Sequence, residues 1–480
     1  MSDLAAGEAG GRVIRGGAMR IVSFVGQLVL SLIAVPLMVR HLGADDYGRY
    51  VTVTSLVFIV AGFTEGGLMY LGVRHYVGLE GAERERYLRN IGGLRLVLTV
   101  VGMVGAVAFT ALTDAGHVIV VGTAIAGLGS LLLLVQQTYS VPLQAELRFA
   151  ALSAVELLRQ VVLTAAIVLC VVVGTGLVPF FWASVASGAA VLIATLALVG
   201  RGDLGSLVPA FDLSVWRRVA HEILPYGIAT AVGLVYYRVG VVLMSYISTP
   251  YETGIYSTAF RIVETVTSVP WLAVSAAFPI LVHAAANDAD RMRYALQRLF
   301  ETSMLIGVAF ALAIALGARF AVDVIAGPGF DDAVPVLRLQ GLALITSFLI
   351  ATWSFALLSL ERFRQLLLAN LAAVVVVIPA TVVFESWLGA EGTALALVLA
   401  ETVLALGYLF ALVRRDRTLQ PQLGFLWKIA LAAAVGLLAA LLPVPSVAMA
   451  LIGLALYGAV AVLTRAIPLE LVNAFLRRAS

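Results

Sequence analysis

The chain has 480 residues, 61% of them hydrophobic and only 12% charged, and its mean hydropathy is +1.03. That composition excludes a soluble globular class and describes an all-α polytopic membrane protein, because apolar runs of about eighteen or more residues recur along the whole length. The net charge of +3 is uninformative by itself, and a single cysteine, Cys170, leaves no disulfide framework and no Cys-based metal site.

The first twenty residues are small, polar and Gly-rich, with Arg12, Arg15 and Arg20 just before the first apolar run. That run, 21–39, is too long for a signal-peptide core and lacks a small-residue cleavage pattern, so it is expected to be an uncleaved helix. Thirteen further spans are predicted at 48–72, 91–113, 117–139, 154–173, 178–200, 222–246, 253–283, 298–317, 334–359, 366–385, 392–413, 426–442 and 447–466. The expected total is therefore about 14 transmembrane helices. With the amino terminus in the cytoplasm, 25 of the 31 basic residues fall on the cytoplasmic side, which orients the chain by the positive-inside rule and makes both termini cytoplasmic. Arg40, Arg49, Arg238, Arg261, Arg319 and Arg338 are the exceptions.

Connections are short, and the longest polar stretches, near 73–90 and 200–221, hold no separate soluble domain. No phosphate loop, His-Glu-x-x-His helix or acidic glycosyltransferase motif is present, so no enzyme, cofactor, metal or nucleic-acid partner is expected. The five histidines lie far apart in sequence and read as interfacial residues.

An internal repeat emerges at the two outer turns. Asp46-Tyr47-Gly48-Arg49-Tyr50 matches Glu252-Thr253-Gly254-Ile255-Tyr256 as acidic-x-Gly-x-Tyr at the mouth of a following helix. Six spans separate the copies, so two six-helix lobes are expected to share one orientation, related by a pseudo-two-fold along the membrane normal. The expected domains are 1–205 for helices one to six, 206–417 for helices seven to twelve, and 418–480 for two additional helices.

The second copy opens the most polar stretch. Gly254, Ser257, Thr258, Arg261, Glu264, Thr265, Ser268 and Ser275 recur three or four residues apart, which is one helix face. Hydrocarbon does not tolerate such a face, so it is expected to line a transport path. Arg238 and Arg261 each lie about eight residues from the outer turn, roughly 12 Å deep at 1.5 Å per residue. A buried guanidinium needs a partner or a wet cavity, and a diphosphate is a natural transient partner. Pairing of Arg261 with Glu264, one turn along, is the competing reading. On the first helix Arg20, Ser23, Gln27 and Ser31 form a weaker stripe that either faces a cavity or packs against a neighbour. Glu65, Glu264 and Glu401 are the intramembrane acids available for proton or sodium coupling, with structural ion pairing as the alternative. Gln136, Gln137, Trp271 and Trp353 read as packing or anchoring residues, with sugar contact as the second reading.

The run His41-Leu42-Gly43-Ala44-Asp45-Asp46-Tyr47-Gly48-Arg49-Tyr50 resembles the signature of bacterial polysaccharide or O-antigen flippases, Wzx-type members of the multidrug/oligosaccharidyl-lipid/polysaccharide exporter superfamily. Phe278-Pro279, Gly327-Pro328-Gly329-Phe330-Asp331-Asp332-Ala333 before Val336-Leu337-Arg338, and Leu388-Gly389-Ala390-Glu391-Gly392-Thr393-Ala394 carry the same resemblance. It implies two six-helix lobes around a cavity with alternating access. The implied activity moves undecaprenyl-pyrophosphate-linked oligosaccharide from the cytoplasmic to the periplasmic leaflet of the bacterial inner membrane, for O-antigen, capsule or exopolysaccharide, with contact to polysaccharide polymerase machinery. It also implies that Arg261 binds the pyrophosphate. A cation-coupled multidrug exporter of the same superfamily and a membrane glycan polymerase or ligase are the alternatives. The first would want an acidic cavity and the second a large outer loop.

Overall fold

The computed structural model describes residues 2–65, 68–199 and 208–466. All regular structure among them is helical, and it divides into two compact units, Met1–Arg238 and Val239–Ser480. The expected boundary near 205, and the basic residues Arg201, Arg477 and Arg478 that contributed to the topology, lie outside the described residues.

The first unit contains α1 (Ser2–Glu65), α2 (Leu68–Gly78), α3 (Gly81–Leu112), α4 (His117–Tyr139), α5 (Val141–Ala145), α6 (Phe149–Val173), α7 (Val178–Val199) and most of α8 (Leu213–Ile247). In hydrocarbon no water satisfies the backbone, so Leu-, Val- and Ala-rich runs close their hydrogen bonds internally as helices. The apolar part of α1, Val22–Glu65, has 44 residues. At 1.5 Å per residue that is about 66 Å, more than twice a bilayer core of about 30 Å. Gly43 resolves the mismatch: its φ of 69° and ψ of 178° break the helix into two limbs. The spans expected at 21–39 and 48–72 are therefore joined with a single non-helical residue between them, where the sequence suggested a longer turn.

Within this unit α4 and α7 approach closely, because a Cβ on Gly129 would meet Ser184 and one on Gly188 would meet the Gly129 carbonyl. Small residues at such a contact let helix backbones pack where no hydrophobic effect drives association. Gln136 donates to Thr195 Oγ1 at 2.9 Å across the same pair, which is packing rather than an exposed sugar contact. Outside the apolar spans, the segment before α8 is strapped to the start of α3. Ala210 N donates to the Arg89 carbonyl, Asp212 N to Asn90 Oδ1, Trp216 Nε1 to the Asn90 carbonyl, and Arg86 Nη2 to Asp212 Oδ2 at 2.6 Å. Hydrogen bonds from Ser214 and then Arg86 hold the Asp212 carboxyl at about 2, below its usual 3.8.

The second unit contains α9 (Pro250–Asn287), α10 (Ala289–Ile325), α11 (Ala333–Ser359), α12 (Phe363–Leu388), α13 (Ala390–Val413), α14 (Leu426–Leu437) and α15 (Ser446–Leu463). Its axis is α11, whose apolar window is 67% buried and which packs on α9, α10 and α13. The α14 and α15 pair covers α10 through Leu312, Leu316, Ile429 and Tyr457, whose hydroxyl donates to the Leu305 carbonyl at 2.8 Å. Among the described residues ten helices are long and apolar enough to cross a membrane, and the two limbs of bent α9 make an eleventh. Large apolar side chains such as Leu112, Val172, Leu272 and Leu463 stay exposed on these helices, as a lipid-facing surface requires.

Two outcomes follow. Gly43→Ala places a Cβ in a backbone region essentially confined to glycine, and a loss of about 1–3 kcal/mol is expected in thermal unfolding in detergent. For Asp212, whose carboxyl is depressed in the folded state, the strap's contribution is complete above about pH 4 and lost as pH falls towards 2. Trp216 fluorescence, taken as the difference from Trp216→Phe, should change across that window, and Asp212→Asn should abolish the change.

Candidate functional site

The polar face of α9 is built on a capped, proline-initiated helix. Thr249 Oγ1 accepts from Glu252 N at 3.1 Å, and Pro250 occupies the first turn, where a missing N–H costs nothing. Glu252 in turn accepts from Ala390 N at 2.9 Å, so its carboxylate satisfies the exposed first turn of α13. Tyr251 donates to Asp332 at the head of α11. The acidic-x-Gly-x-Tyr motif thus joins the starts of α9 and α13. In the first unit the corresponding turn is fixed by the Asp46–Arg49 pair, by the His41–Thr175 carbonyl contact of 2.8 Å, and by stacking of Tyr50 on Phe181 at 5.5 Å.

Further along, α9 bends by 46° between Ser275 and Ala277. Pro279 explains it, since its ring opposes the carbonyl four residues earlier, that of Ser275. The predicted polar stripe divides along this helix. Its first part is buried: Ser257 is 1% exposed and Thr258 donates to the Gly254 carbonyl. Its middle part is open, with Arg261 half-exposed and Thr265, Ser268 and Ser275 exposed. The hydroxyls of Thr265, Ser268 and Ser275 donate to their own helix backbone, which keeps them tolerable in an apolar surround. Arg261 Nη1 donates to Glu264 Oε2 at 2.9 Å, so the pairing that the spacing permits is formed.

Arg238 is the last residue of the first unit. Its guanidinium lies 5.1 Å from the Phe58 ring centroid and 5.5 Å from that of Tyr237, so aromatic faces compensate part of its charge. It stands nine residues before the end of α8 and Arg261 eleven after the start of α9, about 14 Å and about 16 Å along their helices. On α1, Arg20 is exposed. Gln27 donates to Ser23, and Ser23 to the Ser153 carbonyl of α6, so these two bonds serve helix packing.

The three acids have different surroundings. Glu65 accepts from Arg95 Nη2 at 3.1 Å and from Met69 N at 3.2 Å. Arg95 is 1% exposed, and its other terminal nitrogen donates to the Leu134 carbonyl. Sequence reasoning set Arg95 among the cytoplasmic basic residues and missed it as Glu65's partner; its place inside the 91–113 apolar run was the available signal. Glu264 is committed to Arg261. Glu401, 6% exposed on α13, accepts from Thr346 Oγ1 at 2.9 Å and Ser347 Oγ at 2.8 Å. Among the described residues no three His, Cys, Asp or Glu side chains converge as a metal site.

The model of the family described as "polysaccharide biosynthesis protein" matches residues 13–285, more than half of the sequence. The chain belongs to that family. Its fold is that of the MOP-superfamily transporters. A structure titled lipid II flippase MurJ in an inward closed conformation superposes with a TM-score of 0.78 at 14% identity, covering 93% of this chain and 99% of that one. An inward-facing multidrug resistance MATE family transporter gives 0.68 at 14% identity, covering 83% and 98%. A MOP superfamily transporter from Pyrococcus furiosus, titled for the reversed polarity of its binding pocket, gives 0.56 at 14% identity, covering 85% and 96%. No curated protein matches in sequence.

The two ion pairs should respond differently to neutralisation. Glu65→Gln strands a fully buried guanidinium and is expected to cost about 3–5 kcal/mol. Glu264→Gln, beside a 40%-exposed arginine, should cost about 1 kcal/mol or less. Unfolding midpoints of the purified variants in detergent check the order.

Proposed function

We propose that this protein moves an undecaprenyl-pyrophosphate-linked oligosaccharide from the cytoplasmic to the periplasmic leaflet of the bacterial inner membrane by alternating access, for O-antigen, capsule or exopolysaccharide. The observation that carries the reading is Arg261: a half-exposed guanidinium about 16 Å along a membrane helix, on an open polar face, paired with the Glu264 carboxylate one turn along. That arrangement suits a pyrophosphate, whose oxygens displace Glu264 and take the guanidinium bidentately. Arg238, cushioned on aromatic rings, is a second phosphate ligand on this reading, and the exposed Arg20 and Ser268 extend the substrate path.

The family's description and the likeness to a lipid II flippase both support a lipid-linked glycan as cargo. The repeated outer motif supports two lobes, 1–205 and 206–417, related by a pseudo-two-fold along the membrane normal, with 418–480 appended. The two limbs of α1, the bent α9 and the shorter apolar helices Ala231–Ile247 and Leu426–Leu441 support a total of 14 spans with both termini cytoplasmic. Non-enzymatic transport is part of the same reading, as are contact with polymerase machinery and drive by a proton or sodium gradient. A multidrug exporter is the second reading, favoured by the likeness to MATE transporters. The two arginines count against it, since a cationic drug would be repelled.

In cells deleted for this protein, lipid-linked oligosaccharide should accumulate on the inner leaflet, and wild type should clear it. Losing a charge-assisted contact of about 1.5–3 kcal/mol predicts that Arg261→Ala clears it at least about tenfold more slowly. Normal glycan export in the deletion strain, with no redundant flippase, would overturn the assignment and send attention to drug efflux.

A further inference from the structure

The carboxyl of Glu401 is the one intramembrane acid of the three whose hydrogen bonds come from hydroxyls alone. It lies eleven residues into α13, about 16 Å from that helix's start, which is near the middle of a hydrocarbon core of about 30 Å. It is 6% exposed, and Oε2 receives both Thr346 Oγ1 and Ser347 Oγ from α11, the most buried helix of the unit.

The charged groups on the helices around it are paired with other groups or lie near helix ends. From α11, Arg338 donates to the Ala315 carbonyl. From α9, Arg261 and Glu264 hold each other. From α12, Arg364 lies in the first turn and Glu385 in the last, several turns away along that helix. On α13 itself Glu391 is in the first turn, and Tyr408 donates to Asn370. Among the described residues the Glu401 carboxyl's hydrogen-bond partners are the Thr346 and Ser347 hydroxyls.

An ionised carboxylate so placed is expensive, and two neutral hydroxyls do not offset it. Either a metal cation or a proton must neutralise it. Hard metal ions such as Ca²⁺ and Mg²⁺ collect six or more oxygens, whereas the three side chains converging here supply four at most. A proton needs one.

We propose, resting on the transport reading above, that Glu401 is a proton-binding site, neutral while α11 and α13 are packed as here, and that this proton is exchanged in the transport cycle. The neutral acid keeps both hydroxyls at Oε2, and Thr346 can donate its own proton in a hydrogen bond to the Ala343 carbonyl at 2.8 Å. When α11 and α13 part, water reaches the carboxyl, takes the proton and solvates the carboxylate. Repacking requires the proton back, so the helix arrangement and the protonation state are linked.

The test is infrared difference spectroscopy of the whole protein in liposomes, in sodium or in choline buffer, alongside translocation of a fluorescent undecaprenyl-pyrophosphate oligosaccharide with and without a pH gradient. The expected result is the carbonyl stretch of a protonated carboxylic acid at neutral pH, unchanged by sodium, absent from Glu401→Gln, and shifted in frequency by Thr346→Val with Ser347→Ala. A pH gradient should alter wild-type translocation several-fold and leave Glu401→Gln unresponsive. Wild type and Glu401→Gln giving the same spectrum, or sodium abolishing the band, would overturn the proton site. Translocation by wild type that ignores the gradient would overturn its exchange in the cycle while leaving the flippase reading intact. A normal band with no translocation of the lipid-linked glycan would reject the flippase reading and, with it, the exchange, leaving only a structural proton site.

Discussion

Every charge placed in hydrocarbon must be neutralised, hydrogen-bonded or wetted, and the interior of this protein is arranged around that constraint. Arg95 is the severe case, since it is wholly buried and survives there on one carboxylate and one backbone carbonyl. Arg238 rests on aromatic rings, and Arg261 pairs with a carboxylate on its own helix. These three solutions differ in how readily they are undone. A buried pair is held by the cost of exposing either partner, whereas a half-exposed pair exchanges with any competing anion that reaches it. The first kind sets architecture and the second suits transient contact.

The same constraint shapes the backbone. With no water to accept stray hydrogen bonds, irregular geometry falls where sequence makes it cheap, as at Gly43 in α1 and Pro279 in α9. Polar side chains in the spans mostly bond to their own helix or to the next, as Thr258, Thr265 and Gln136 do. Where the two units differ is in their centres. The second is organised on a single buried helix, and the first on close contacts between α4 and α7.

Hydropathy made the helices legible, because each span advertises its length against a fixed bilayer thickness. Pair spacing made the Arg261–Glu264 contact legible, because three residues on a helix always meet. What the sequence left hidden depends on distant segments. Arg95 sits inside an apolar run, which marks it as buried, but the run does not say that Glu65 and the Leu134 carbonyl of α4 are what receive it. Nothing local separates Ser257 from Ser268, although helices packed on the first part of α9 bury the first and leave the second open. The hydroxyls that meet Glu401 come from a helix more than fifty residues away. The family was legible in short motifs at helix ends and turns, where side chains have strict geometric duties, such as Glu252 at the head of α13.

That last contact has a consequence for how the protein is made. Glu252 and Ala390 are 138 residues apart, and a chain grows at about 5–20 residues per second, so about 7–28 s separate the appearance of the carboxylate from that of its amide partner. Through that interval α9 is inserted with its first turn still waiting, while α10, α11 and α12 emerge. The second unit is therefore sealed late, by an acid laid down at its beginning and a helix supplied near its end, and a chain stalled before residue 390 holds an unfinished bundle that the membrane cannot close for it.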